Sequence, residues 1–257
     1  MSLFMQEYSE LVDDALRIAS EAGEITMRHF QQGGVVDYKD DKSPVTEADI
    51  ASSRHIEQAL GTLTPAIPVI SEESDYRPEN QETFWLVDPL DGTRAFVSGV
   101  PEFTVNIGLV HRQQAVFGVL YVPAAKVGYA GGVGVPAIKQ TEDGERIAIQ
   151  TRTPAKDNWT VVKSHAHASP KLNEYLAKFP VGEMLGASSA LKFGLMAEGR
   201  ADLYPRLGPT MEWDTAAGQA IVEAAGGAMQ TLDGEEFWYG KSGYRNPGFI
   251  VFARAPS

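Results

Sequence analysis

Cysteine is absent from the 257 residues, which removes disulfides, thiolate zinc sites and a cysteine nucleophile from consideration. Positive charge is also scarce. Lys and Arg number 22 against 34 Asp and Glu, a net charge of −12. That excess excludes binders of polymeric nucleic acid and of anionic membrane surfaces, because like charges repel them. A small anionic ligand stays admissible where bound cations reverse the field locally. No apolar run approaches the about 20 residues of a membrane helix, and no basic-then-apolar leader opens the chain. A soluble cytoplasmic protein, monomer or homodimer, is therefore expected. The five histidines show no His-Glu-x-x-His spacing, so imidazole metal chemistry is not expected. Internal repeats and low-complexity segments are missing too.

What is present supports a packed core, with 43% hydrophobic residues and 22% charged. Tyr8, Leu11, Val12, Ala15, Ile18, Ala19, Ala22 and Ile25 recur at helical spacing, and Gly33-Gly34 would stop that helix. A second helix is expected over 46–60, behind Pro44. Short apolar runs at 67–70, 84–87, 104–110 and 116–122 read as strands, the last two joined as a hairpin through His111-Arg112-Gln113-Gln114. The stretch 128–136 is too rich in glycine to read as a helix. From about residue 155 the rhythm becomes alternating: strand 160–163, helices 170–179 and 190–198, strand 201–204, helix 214–225, then strands 228–231 and 249–253. The pattern describes an α+β half over 1–150 followed by an α/β half over 151–257.

The most informative segment is Trp85-Leu86-Val87-Asp88-Pro89-Leu90-Asp91-Gly92-Thr93. An apolar strand empties into two carboxylates with a proline between them. Pro89 restricts the turn, so Asp88, Asp91 and the Leu90 carbonyl can converge on one hard cation. Gly92 admits close approach of backbone to a ligand, and the amides of Gly92 and Thr93 suit a phosphate oxygen. Three further acidic segments accompany it. Ser71-Glu72-Glu73 ends a strand, Trp213-Asp214-Thr215 opens a helix, and Thr46-Glu47-Ala48-Asp49 fits a helix cap. Taken singly, these segments fit a solvated turn, a surface acidic pair and ordinary N-caps equally well. Together they describe an oxygen-ligand metal site.

These residues carry a family resemblance. Asp88-Pro89-Leu90-Asp91-Gly92-Thr93, with Glu72-Glu73 upstream and Trp213-Asp214-Thr215-Ala216-Ala217-Gly218 downstream, resembles the inositol monophosphatase superfamily of magnesium-dependent, lithium-sensitive phosphatases. The matching segments span residues 46 to 218. Ser188-Ser189-Ala190-Leu191-Lys192-Phe193, Tyr204-Pro205-Arg206-Leu207-Gly208-Pro209-Thr210 and Asn246-Pro247-Gly248-Phe249 are similar to its 3′(2′),5′-bisphosphate nucleotidase branch, which serves sulfur assimilation. The resemblance implies a layered α-β-α-β-α sandwich. It implies that Glu72, Asp88, the Leu90 carbonyl, Asp91 and Asp214 ligate two or three Mg²⁺ ions. By the same resemblance, Gly92 and Thr93 hold the scissile phosphate, and Asp49 with Thr93 forms the catalytic pair that orients or deprotonates the attacking water. The residue types agree, because magnesium prefers carboxylates, carbonyls and water.

Substrate choice turns on fewer residues. Inositol monophosphatases usually carry a glutamate before the Trp-Asp motif, and the matching position is Arg206. A guanidinium fork suits a second phosphate, although a surface arginine in a Tyr-Pro-Arg turn explains it too. Lys192 and His165 match nucleotide contacts of the branch, and Ser188 belongs to the same set. Solvated or structural roles remain open for all three. Val162-Lys163-Ser164-His165 departs from the branch's Ser-Arg-Ser-His segment at its first two positions. The expected substrate is adenosine 3′,5′-bisphosphate, hydrolysed to AMP and phosphate, with the sulfated nucleotide PAPS as a second candidate. The alternatives are an inositol-1-phosphate or sugar-phosphate phosphatase, and a catalytically inactive phosphate-binding or regulatory relative.

Overall fold

The first expected helix forms and extends beyond its apolar pattern: α1 covers Ser2–Gln32. Tyr8, Val12, Ala15, Leu16, Ile18, Ala19 and Ala22 are its buried stripe, at the three- and four-residue spacing that one helix face requires. The computed structural model describes residues 2–32, 36–38, 44–165 and 170–254. The Gly33-Gly34 stop lies outside them. Strands β1 (Val36–Tyr38) and β2 (Pro44–Thr46) pair antiparallel. Helix α2 (Glu47–Leu63) follows, with Thr46 as its N-cap.

The first half then builds a seven-stranded sheet. Its strands are β3 (Val69–Ser71), β4 (Thr83–Asp91), β5 (Thr104–His111), β6 (Gln114–Val122), β7 (Val127–Gly132), β8 (Val135–Gln140) and β9 (Arg146–Ala148). They lie in sequence order. Only β3 and β4 run parallel, and a short helix, α3 (Thr93–Val97), interrupts the order after β4. The hairpin between β5 and β6 turns on Arg112 and Gln113, both at positive φ, as a tight two-residue hairpin requires. The glycine-rich stretch becomes the β7–β8 hairpin.

The second half contains β10 (Trp159–Lys163), α4 (Pro170–Leu176), β11 (Val181–Gly186), α5 (Leu191–Ala197), β12 (Leu203–Arg206), β13 (Thr210–Met211), α6 (Ala216–Ala224), β14 (Ala228–Thr231), β15 (Arg245–Asn246) and β16 (Phe249–Phe252). Five of these strands form a mixed sheet in the order β11-β10-β12-β16-β14, and β13 pairs with β15. Helix α6 is shorter than expected, because residues Glu212–Asp214 form a separate 3-10 turn ahead of it.

Alternation along the strands sets the layers. On β4, Trp85 and Val87 join the core under α1 and α2. Phe84 and Leu86 face the opposite core, which contains Phe193 of α5, Ile221 of α6, and Tyr204 and Val251 of the second sheet. The outer face of that second sheet, through Val161, Leu203 and Ile250, packs against Leu172, Tyr175 and Leu176 of α4. The order is therefore α1/α2, first sheet, α5/α6, second sheet, α4: the α-β-α-β-α sandwich. Helix α6 lies hard against the first sheet. A Cβ at Gly118 would collide with the backbone of Ala217, so glycine there permits the approach that brings Asp214 to the end of β4.

Candidate active site

Strand β4 does not stop where its apolar run stops. It continues through Asp88, Pro89 and Leu90 to Asp91, with a register shift between Asp88 and Asp91 against β5. The expectation of a turn beginning at Asp88 is corrected accordingly. Proline is tolerated in such a strand where the ladder is broken, and the bulge is pinned from both sides. The Ser52 hydroxyl of α2 donates to the Pro89 carbonyl (3.0 Å), and the Leu90 amide donates to Asp88 Oδ1 (3.0 Å). Parallel pairing of β3 with β4 sets Glu72 alongside, its amide bonded to the Val87 carbonyl at 3.0 Å. Gly92 adopts φ 94° and turns the chain into α3.

Glu72, Asp88 and Asp214 converge, each offering a carboxylate oxygen within 4.8 Å of the others. Asp214 ends the 3-10 turn, and its Oδ2 accepts the Met211 amide at 2.8 Å. Burial, with repulsion from Glu72, Asp91 and Asp214, holds the Asp88 carboxyl well above the usual range. Burial and Asp91 do the same to Asp214, against the Met211 amide. Three carboxylates crowded this closely, two of them with raised carboxyls, are the chemistry of a hard divalent cation site. Asp91 lines the same cleft, but its Oδ2 is engaged by the Ser189 hydroxyl at 2.8 Å.

Asp49 and Thr93 meet beside this group. Asp49 is 2% exposed, and its Oδ2 accepts both the amide (2.7 Å) and the hydroxyl (2.6 Å) of Thr46. Its Oδ1 faces the Thr93 hydroxyl at 3.4 Å, which also reaches the Leu90 carbonyl at 3.2 Å. The helix-cap and catalytic readings of Asp49 therefore use different oxygens of one carboxylate.

A cleft of about 600 Å³ opens over these residues and includes Leu90, Gly92, Arg94, Arg206 and Arg245 in its lining. A smaller cavity of about 110 Å³ shares Asp91, Arg206 and Asp214 with it and adds Ser164, Ser189 and Lys192. Lys192 is 4% exposed, not a solvated helix residue, and burial pushes its ammonium down to about 8. Its Nζ donates to the Ser189 carbonyl and lies 5.4 Å over the Tyr204 ring. Among the described residues, Arg206 makes two long hydrogen bonds, to Ser164 Oγ and the Pro209 carbonyl, both 3.4 Å. Its buried Nε has no partner among the described residues. The cleft thus sets an acidic group against a cationic wall.

His165 and Ser188 sit outside both cavities. Each bonds Glu102, His165 Nε2 at 2.7 Å and the Ser188 amide at 2.8 Å. Burial raises the Glu102 carboxyl, but these two bonds outweigh it and hold it below the usual range. Sequence reasoning did not single out Glu102, Ser189, Arg94 or Arg245. Ser189, next to the expected Ser188, was within reach of a one-residue shift in the same motif. The others carry no local pattern.

Comparison with known proteins shows the family of the chain. The chain matches the family model described as the inositol monophosphatase family over residues 7–249. It is 42% identical over 247 residues to the 3′(2′),5′-bisphosphate nucleotidase CysQ of Salmonella typhimurium, covering 94% of this chain and 99% of that protein. The crystal structure of CysQ from Bacteroides thetaiotaomicron is similar at 35% identity and a TM-score of 0.79, over 97% of this chain and 99% of that one. The suhB protein of Bartonella henselae shares the fold at 24% identity and the same TM-score, over 95% of this chain and 94% of that one. With the acidic group, the layered fold and the full-length match in agreement, the chain belongs to the inositol monophosphatase family.

Proposed function

We propose that this protein is a magnesium-dependent 3′(2′),5′-bisphosphate nucleotidase that hydrolyses adenosine 3′,5′-bisphosphate to AMP and phosphate. The observation that carries this reading is the pairing of the Glu72–Asp88–Asp214 group with Arg206 in one cleft, and the adjoining small cavity that shares Arg206 and Asp214 and adds Lys192. A single-phosphate sugar has no use for that wall, whereas a nucleotide with a second phosphate does. Glu72, Asp88, Asp91, Asp214 and the Leu90 carbonyl would hold the Mg²⁺ ions, which when bound neutralise phosphate charge and make water a better nucleophile. In the reaction, a water oxygen bonds to the 3′-phosphorus, the P–O3′ bond breaks, and the departing 3′-oxygen takes a proton. Asp49 accepts through Thr93 the proton that the water gives up. The Gly92 and Thr93 amides orient the phosphate undergoing cleavage. Arg206 and Lys192 bind the phosphate that stays, with Ser188 and His165 bordering the nucleotide. Retention of every acidic position disfavours an inactive relative.

Arg206→Glu tests the substrate assignment. Loss of a charge-assisted contact costs about 1.5–3 kcal/mol, roughly ten- to hundred-fold in KM, and the introduced carboxylate adds repulsion. The expected result is that the ratio of kcat/KM for adenosine 3′,5′-bisphosphate over inositol 1-phosphate falls by at least about ten-fold. An unmoved ratio removes Arg206 from nucleotide recognition.

A further inference from the structure

Ser189 occupies a conformation that side chains avoid. Its φ is +58°, in the left-handed region, where a residue other than glycine is strained and commonly serves a site. Two groups hold it there. Lys192 donates to its carbonyl from below, and its hydroxyl is drawn across to the first sheet. That hydroxyl lies 2.8 Å from Asp91 Oδ2, 2.9 Å from the Asp91 carbonyl and 2.6 Å from Thr104 Oγ1. Thr104 in turn lies 2.7 Å from the side-chain amide of Asn106. Thr104 and Asn106 are both fully buried, so water does not complete the chain.

Counting protons gives the chain a direction. Each hydroxyl has one proton to give, and both Asp91 oxygens facing Ser189 are acceptors. Ser189 therefore donates to Asp91 and must accept from Thr104. Thr104, having spent its proton, must accept from Asn106, which requires the amide nitrogen of Asn106 to face it. An amide's orientation is fixed by such a network, and the opposite orientation leaves Asn106 Nδ2 buried with no partner among the described residues. The proton count and the orphaned donor point to the same arrangement. It leaves at most a carbonyl oxygen under-satisfied, which is the cheaper defect.

We infer that the buried Asn106 and Thr104 and the half-buried Ser189 form a one-way donor chain that ends on Asp91 and fixes its carboxylate for the cation. Ser189 is the positioning residue at its head. The chain delivers donors only, so it selects one rotamer of that carboxylate. It also ties a ligand supplied by the first sheet to the segment preceding α5, so docking of the second half completes the site. Partners of metal-ligating carboxylates typically contribute about 10–100-fold in metal affinity.

The inference rests on Asp91 as a cation ligand, and the test separates the two. Mg²⁺ binding is measured by calorimetry on the full chain without substrate, alongside the melting temperature. Ser189→Ala is expected to weaken Mg²⁺ by about ten-fold or more. Thr104→Val is expected to weaken it by several-fold, and Thr104→Ser to restore it. Ser189→Gly guards against misfolding, because glycine relaxes at this φ; it should match or exceed the parent in stability yet bind Mg²⁺ as weakly as Ser189→Ala. Parental Mg²⁺ affinity in folded Ser189→Gly and Ser189→Ala, with affinity lost in Asp91→Asn, overturns the donor chain alone. Parental affinity in Asp91→Asn overturns the ligand assignment itself.

Discussion

Asp88→Asn is expected to abolish turnover while making the cation-free protein more stable. The substitution keeps the carbonyl oxygen that accepts the Leu90 amide and removes one charge from a group whose oxygens lie within 4.8 Å of one another. Two charges at 4 Å repel by about 1 kcal/mol at the screening of water and about 4 kcal/mol at that of a protein surface. Relief of about 1 kcal/mol raises Tm by about 2–4 °C in a chain of this size. Loss of a charged ligand should lower kcat by at least about 10²-fold, or 2.7 kcal/mol. The pH dependence follows with a definite sign. Asp88 and Asp214 have carboxyls raised above their ordinary 3.8, so the folded chain binds more protons than the unfolded one in that interval. Cation-free stability therefore falls as pH rises from about 3.8 through the raised values. Mg²⁺ should add more to Tm at pH 8 than at pH 5, and Asp88→Asn should flatten that difference. Thermal melts in chelator and in Mg²⁺, beside initial rates, check all three. A variant that is active in saturating Mg²⁺, or less stable than the parent in chelator, contradicts the assignment of Asp88.

Asp49→Asn carries the second large effect. One oxygen of Asp49 caps α2 through Thr46, and the other faces Thr93. An amide can keep the first role only by turning its NH₂ toward Thr93, which then finds a donor where it needs an acceptor. General-base catalysis contributes about 10²–10⁴-fold, so kcat should fall within that range. The cap weakens by about 1 kcal/mol, or about 2–4 °C in Tm. Thr46→Val is the control. It deletes the hydroxyl that bonds Oδ2 and leaves Thr93 untouched, so Tm should drop comparably while kcat stays within a few-fold. Equal losses of kcat in both variants would mean that Asp49 acts only through the helix.

The central strands were legible because both sheets are buried on two faces and read as near-continuous apolar runs, whereas their stacking into a layered sandwich came only from the family resemblance. Phe84 to Val87 and Val116 to Val122 are such runs, and α1 announced itself through its periodic stripe. The continuation of β4 through Asp88, Pro89 and Asp91 was not legible, since proline and paired carboxylates signal a turn and only pairing with β5 reveals a bulged strand. Strand β11 was missed for the opposite reason. It lies at a sheet edge with Glu183 and Met184 exposed, so no burial pattern marks it. Asp214 was expected at the start of a helix, and a 3-10 turn intervenes because its own carboxylate takes the Met211 amide. At the site, the acidic residues stood in motifs that spacing made visible. Glu102 and Ser189 act across the two sheets, and such contacts leave no local trace.

The central claim is that this cleft cleaves one phosphate of a bisphosphate nucleotide while holding the other. Product analysis after incubation with adenosine 3′,5′-bisphosphate, in Mg²⁺ and in chelator, tests it most directly. On the proposed assignment of Arg206 and Lys192 to the retained phosphate, the products in Mg²⁺ should be adenosine 5′-monophosphate and one equivalent of phosphate, with no turnover in chelator. Inositol 1-phosphate should be hydrolysed with a much lower kcat/KM. Cleavage that proceeds in chelator, or a kcat/KM for inositol 1-phosphate equal to or above that for the nucleotide, would contradict the account.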